Sequence, residues 1–278
     1  LPRLFDVLPA DPHGIDAAHA AMDEAVGKNP AAKAAVDIAM HDLAAKLHDL
    51  PLYRYLGLDP RSTPASSFTI GLASTAEMAR KTEAASDAGY DVLKVKLGTD
   101  RDIEIIETLV ETAPEARLRV DANEAWTPKQ AIRMCRKLEG LVEFVEQPVP
   151  AENPEGMARV TEQSPLPIAA DESLVTPSDV PAVAEIADIA NVKLMKCGGI
   201  RPAIETLHAA RAHGLETMLG CMIESNAAIA AGVQLAPLLD YADLDGSLLL
   251  AEGADPFDGP PVPSLDPTGV AGTGARRN

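Results

Sequence analysis

With 278 residues and 46% apolar side chains, the chain can hold one large α/β domain plus a small appendage, and its core needs no disulfide or metal staple. A formal net charge of −18 argues against nucleic acid or an anionic membrane surface as partner, because both require clustered Lys and Arg. No uncharged apolar run approaches the roughly 20 residues that span a bilayer, and no signal-peptide pattern opens the chain. Cys135, Cys197 and Cys221 are odd in number and widely spaced, which predicts a reducing, cytoplasmic setting rather than a disulfide framework.

Residues 1–66 read as helical. Apolar residues recur at helix spacing over 15–26 and 31–48, and turn chemistry follows at Gly57 and Asp59-Pro60. From residue 67 short β-branched runs alternate with helical stretches. Strands are predicted at 67–71, 91–97, 117–121, 142–146, 166–170, 188–194, 215–220 and 239–243. The intervening helices are predicted at 75–88, 101–112, 127–139, 153–163, 176–186, 200–213 and 225–236. This period is that of successive β-α units with a parallel sheet. Eight strands in so short a span fit a closed TIM-type (β/α)7β barrel over 67–252. No GxGxxG or GxxxxGK[ST] run follows an early strand, which disfavours a dinucleotide-binding sheet. The Pro- and Gly-rich residues 253–278 are expected to form an irregular tail packing back over the domain.

The ends of barrel strands carry the chemistry of such folds. Here they end in Lys94-Val95-Lys96, Asp121-Ala122-Asn123, Glu146-Gln147-Pro148, Asp171-Glu172-Ser173 and Asp243-Leu244-Asp245, with Lys193 on the sixth strand. Asp121, Glu146 and Asp171 are each 25 residues apart, one barrel unit. One such acid could merely cap the next helix. Three in register would repel one another unless a hard dication joined them, so Mg²⁺ is the expected occupant and Mn²⁺ the second choice. Lys94 and Lys96, two apart on one strand, face the barrel mouth. Lys193 lies across from them, and a lysine near a dication and another lysine can serve as a base near neutral pH. Lys196 competes with Lys193 for that role, but just before Cys197-Gly198-Gly199 it reads as a loop residue.

These motifs resemble those of the enolase superfamily, in its muconate-lactonizing-enzyme subgroup: Lys94-x-Lys96, Asp121-Ala122-Asn123, Glu146-Gln147-Pro148, Asp171-Glu172-Ser173 and the run Asn191–Gly199, in family order. The resemblance implies that residues 1–66 are the helical part of a capping domain. It implies Mg²⁺ on Asp121, Glu146 and Asp171, Lys96 and Lys193 as the two acid/base groups, and Lys94 as a supporting charge. The shared step is removal of the proton α to a carboxylate. Asp243-x-Asp245 resembles the pair with which dipeptide epimerases bind a free α-ammonium group, and Cys221 and Ile223 lie in a segment similar to one that contacts the dipeptide. A dipeptide substrate and a homo-oligomer follow by the same analogy. The competing readings are o-succinylbenzoate synthase, N-succinylamino acid racemase, muconate cycloisomerase, and a catalytically inactive metal-binding homologue. The family's first sheet and its specificity loop have no counterpart before residue 12, which leaves the identity of the dipeptide open.

Overall fold

In the computed structural model, which describes residues 2–61, 63–259 and 264–277, the N-terminal region is helical, as its periodicity predicts. It comprises α1 (Pro2–Phe5), α2 (Ile15–Ala25), α3 (Pro30–Leu47) and α4 (Leu52–Tyr55). Pro30 opens α3, where its fixed φ suits the first turn and its missing N–H leaves no orphan donor. Leu4, Ala18, Met22, Val36 and Met40 make a small core of their own.

The remainder alternates strand and helix: β1 (Phe68–Ile70), α5 (Thr75–Asp87), β2 (Val92–Lys96), α6 (Asp102–Thr112), β3 (Arg117–Asp121) and α7 (Pro128–Leu138). Then follow β4 (Val145–Glu146), α8 (Pro154–Gln163), β5 (Ile168–Ala170), α9 (Val180–Val183), β6 (Ile189–Lys193), α10 (Leu194–Cys197) and α11 (Ile200–Ala212). β7 (Glu216–Gly220), α12 (Asn226–Gln234) and β8 (Tyr241–Ala242) complete the series. The eight strands pair in parallel, in sequence order. A parallel bridge between Ser66 and Ala242, with Ser67 N donating to the Ala242 carbonyl at 3.1 Å, brings the start of β1 against β8. The element directly after β8 is a 3-10 turn, Gly246–Leu249.

Every strand but β3 is shorter than its sequence pattern. β4 and β8 keep two residues and β5 three. At the functional end the backbone leaves the sheet: Asn123, Glu124 and Gln147 all have positive φ. The predicted helix 176–186 is a 3-10 turn (Pro177–Asp179) followed by the single turn of α9. Pro177 and Pro181 withhold backbone donors there, so a regular helix does not extend. The tail adds a two-stranded antiparallel ribbon, β9 (Phe257–Asp258) with β10 (Arg276–Arg277). Leu52 N donates to the Gly272 carbonyl and Gly272 N to that of Leu50, which pins the tail beside α4. Residues 260–263 and 278 of that predicted tail lie outside the described residues.

Side chains two apart on a barrel strand stack in layers. Phe144, Ala169, Ile189 and Met218 are buried in one apolar layer, with Tyr241 packed against it. The Arg119 guanidinium lies over the Phe144 and Tyr241 rings, 5.5 and 5.0 Å from their centroids, and its Nε donates to Glu143 at 2.7 Å. Two residues further along each of these chains come Asp121, Glu146, Asp171, Asn191, Gly220 and Asp243. The barrel thus stacks a polar layer on an apolar one.

Helix α3 is tied to the barrel by the buried Asp37. Its Oδ1 accepts the backbone N–H of Ile200 at 2.5 Å, capping α11, and its Oδ2 accepts from His19 Nε2 at 2.7 Å. The His41 ring lies 3.3 Å from Oδ1. Burial pushes this carboxyl up, but the hydrogen bonds from His19 and His41 hold it below its ordinary range. Asp37→Ala is expected to cost about 1–3 kcal/mol in urea unfolding, since it orphans a buried N–H. An unchanged midpoint would mean that α3 and the barrel are not joined through this residue.

Candidate active site

Period-two alternation sends Lys94 and Lys96 of β2 into the same mouth as the acids. Lys94 is buried and its Nζ lies 2.8 Å from Asp243 Oδ2, 2.8 Å from Glu146 Oε2 and 3.1 Å from Asp121 Oδ2. Lys96, partly exposed, donates to Asp121 Oδ2 at 2.7 Å and to Asn123 Oδ1 at 2.9 Å. Four strands on in the sheet order, Lys193 donates to Asp171 Oδ2 at 2.6 Å. Asn191, two residues before Lys193, donates to Glu146 Oε1 at 2.8 Å. Gln147 holds the turn after β5 by accepting from the backbone N–H groups of Asp171 and Ser173.

The sequence pattern did not assign four of the groups that meet here. Lys196 is not a loop residue: it stands on α10, and its Nζ reaches both the Asp171 carbonyl and Asp171 Oδ1, the latter at 2.8 Å. Period two from Lys193 could have found Asn191. Glu172 lines the mouth and shares a long 3.5 Å contact with Asn123. Ser67 donates to Asp243 Oδ1 at 2.7 Å, so Asp243 is committed to Ser67 and Lys94. Asp245 accepts from Thr69 N through Oδ2 and lines the cavity. That cavity, of about 490 Å³, is lined by Lys96, Asn123, Glu172, Lys193, Asp245 and Ile223 among others, with Cys221 also on its wall.

The charges are strongly interdependent. Burial works against the Asp121 carboxylate, yet Lys94 and Lys96 hold it at about 2. Burial and the neighbouring Asp121 push Glu146 up to about 8. Burial and Asp243 push Asp245 up to about 6. Lys94 and Lys193 move opposite to the expectation of a disfavoured charge. Burial opposes the ammonium of Lys94 and of Lys193, but Asp243 with Glu146 raises the first and Asp171 raises the second. Among the described residues no three acids, histidines or cysteines are drawn together as a ready-made ligand cluster. Lys94 stands between three of the carboxylates, and Lys193 with Lys196 takes the fourth.

Residues 77–264 match the family model described as enolase C-terminal domain-like, and residues 5–57 match the mandelate racemase / muconate lactonizing enzyme N-terminal domain. This chain belongs to the enolase superfamily. Among its curated relatives is the L-Ala-D/L-Glu epimerase of Bacteroides thetaiotaomicron, 42% identical over 253 residues that cover 90% of this chain and 65% of that protein. A solved dipeptide epimerase from Enterococcus faecalis, complexed with Mg and the dipeptide L-Leu-L-Tyr, superposes with a TM-score of 0.90 at 35% identity. The match covers 98% of this chain and 80% of that one. An N-succinyl Arg/Lys racemase from Bacillus cereus superposes with a TM-score of 0.91 at 30% identity, over 99% of this chain and 78% of that one.

In this superfamily member Lys94 is the single ammonium shared by Asp121, Glu146 and Asp243. Lys94→Met leaves those acids without it in a buried layer and is expected to lower stability by about 3–5 kcal/mol in urea unfolding. A loss under about 1 kcal/mol, the range of an exposed pair, would show that the layer does not depend on Lys94.

Proposed function

We propose that this protein is a Mg²⁺-dependent dipeptide epimerase with a (β/α)7β barrel and the helical part of a capping domain. The observation that carries the reading is the placement of Lys96 and Lys193 on β2 and β6, four strands apart, both bonded to acids of one polar layer. Epimerisation needs one group to take the Cα proton and another to return it on the opposite face, and this is the least apparatus that can do so. The kinship with epimerases, one of them described with Mg and a dipeptide, supports the same reading.

The donor set fits a hard dication. Asp121, Glu146 and Asp171 offer only oxygen, and the buried Glu146 Oε2 has no hydrogen bond from the described residues beyond its ion pair with Lys94 at 2.8 Å. These three residues would hold Mg²⁺, which supplies Lewis-acid stabilisation for the charge that builds up on a substrate carboxylate. The protein's own residues do the rest. Lys96 and Lys193 exchange the α-proton from opposite sides, the neutral amine of one removing it and the ammonium of the other returning it. Lys94 adds positive charge beneath them. Asp245, on the wall of the cavity, takes the substrate's α-ammonium group, and Asp243 backs it. Cys221 and Ile223 bound the substrate's other side.

A second reading, racemisation of N-succinyl amino acids, is favoured by the likeness to the Bacillus cereus racemase. Such substrates have no α-ammonium group, so Asp245 discriminates the two. In D₂O with Mg²⁺, dipeptides with a free N-terminus are expected to gain deuterium at Cα of the C-terminal residue. Lys96→Ala and Lys193→Ala should each abolish epimerisation while leaving exchange of one enantiomer. Exchange of N-succinyl amino acids but of no dipeptide would overturn the leading reading.

The raised Glu146 gives a pH signature. Its carboxyl stays protonated in the fold up to about 8 but ionises near its ordinary 4.5 when unfolded, so this group's contribution to stability falls as pH rises through that window. A dication binding the ionised form offsets the loss. The rise in Tm on adding Mg²⁺ should therefore be larger at about pH 9 than at about pH 6. An equal rise at both would remove Glu146 from the ligand set.

A further inference from the structure

Lys196 meets Asp171 in a way that no other lysine of the site does. Lys94, Lys96 and Lys193 touch carboxylate oxygens or a side-chain amide, whereas Lys196 Nζ also reaches the main-chain carbonyl of Asp171, together with Oδ1 at 2.8 Å. A contact to a carbonyl survives any change in the carboxylate's charge or ligands. Lys193 holds the other oxygen, Oδ2, at 2.6 Å. The two ammonium groups thus divide Asp171 between them, one on each oxygen.

The turn that carries Lys196 is itself fixed from outside the barrel. Helix α10 ends in Gly198 and Gly199, with φ of 105° and 128°, values that suit glycine. A Cβ on Gly199 would lie 2.4 Å from Asp37 Oδ1, so the turn is seated directly on α3. Ile200 N then donates to that same oxygen. The chain of contact runs from α3 through Asp37 to the Gly198-Gly199 turn, to Lys196, and so to the end of β5. Lys196 lines both the catalytic mouth and the larger cleft, of about 850 Å³, that lies between α2–α3 and the loops after β5 and β6.

We propose that Lys196 is a positioning residue. It clamps Asp171 by carbonyl and Oδ1 so that this carboxylate keeps its orientation when Lys193 lets go of Oδ2 to handle the substrate proton, and it transmits the seat of α3 to that clamp. The inference rests on the epimerase reading for its kinetic arm and is independent of it for its binding arm. Removing an outer partner of a metal-binding carboxylate weakens the metal by about ten- to a hundredfold. Calorimetric titration of Lys196→Met with Mg²⁺ is expected to show that loss, and Lys196→Arg, which keeps a charged donor, is expected to recover most of it.

The kinetic arm follows exchange of the two enantiomers of one dipeptide in D₂O, with Lys193→Ala identifying the enantiomer that Lys193 serves. Lys196→Met should slow exchange of that enantiomer more than exchange of the other, through kcat rather than KM. Wild-type Mg²⁺ affinity in Lys196→Met would overturn the proposal, and so would an equal loss for both enantiomers, which is what a merely structural defect gives. Wild-type protein that exchanges no dipeptide at all would defeat the epimerase reading while leaving the Mg²⁺ titration to decide on Lys196.

Discussion

Four buried acids at one level of a barrel cannot all be ionised without cations among them, and the rest of this molecule is arranged around that constraint. Lys94 answers most of it, with its Nζ within 3.1 Å of Asp121, Glu146 and Asp243. Where a lysine serves an acid closely, as at Asp121, the carboxyl is held low. Where burial and a neighbouring anion outweigh it, as at Glu146, the carboxyl is pushed up to about 8. The same layer therefore contains acids that titrate far apart. Such separation is a mark of sites built for chemistry, because a core held for stability alone is better served by apolar packing.

Space in that layer is allotted as carefully as charge. Gly220 occupies the β7 position, and a Cβ there would lie 2.7 Å from Asn191 Oδ1 and 3.1 Å from Lys193 Cε. The missing side chain is what lets Asn191 reach Glu146 and Lys193 reach Asp171. Gly246 plays a similar part at the rim. A Cβ on it would meet the Met222 carbonyl at 2.0 Å, so the loops after β7 and β8 pack into one wall that carries Cys221, Ile223 and Asp245.

Much of the fold was legible in the sequence because the β-α period and the strand-end acids are regular. The 25-residue spacing of Asp121, Glu146 and Asp171 put them at one level, and period two along β2 put Lys94 beside them. The less regular features were not legible. β4, β5 and β8 shorten mainly at their starts, which local propensity does not report. The Gly-Gly pair after Lys196 suggests a loop, whereas here it stops a single helical turn that aims the residue inward. Asp243 looked like one of two equivalent acids. Its commitment to Ser67 and Lys94 depends on the contact between β1 and β8, a closure between chain segments 176 residues apart.

The apolar layer of Phe144, Ala169, Ile189 and Met218, sealed by Arg119 between Phe144 and Tyr241, makes the polar layer a well with a closed floor. Water can hydrate the buried acids from the mouth alone. Any molecule that fills the mouth then strips solvent from all of them at once, and every electrostatic difference among these residues grows at the moment a substrate arrives. The floor works as the insulator of a capacitor whose upper plate is the ligand itself.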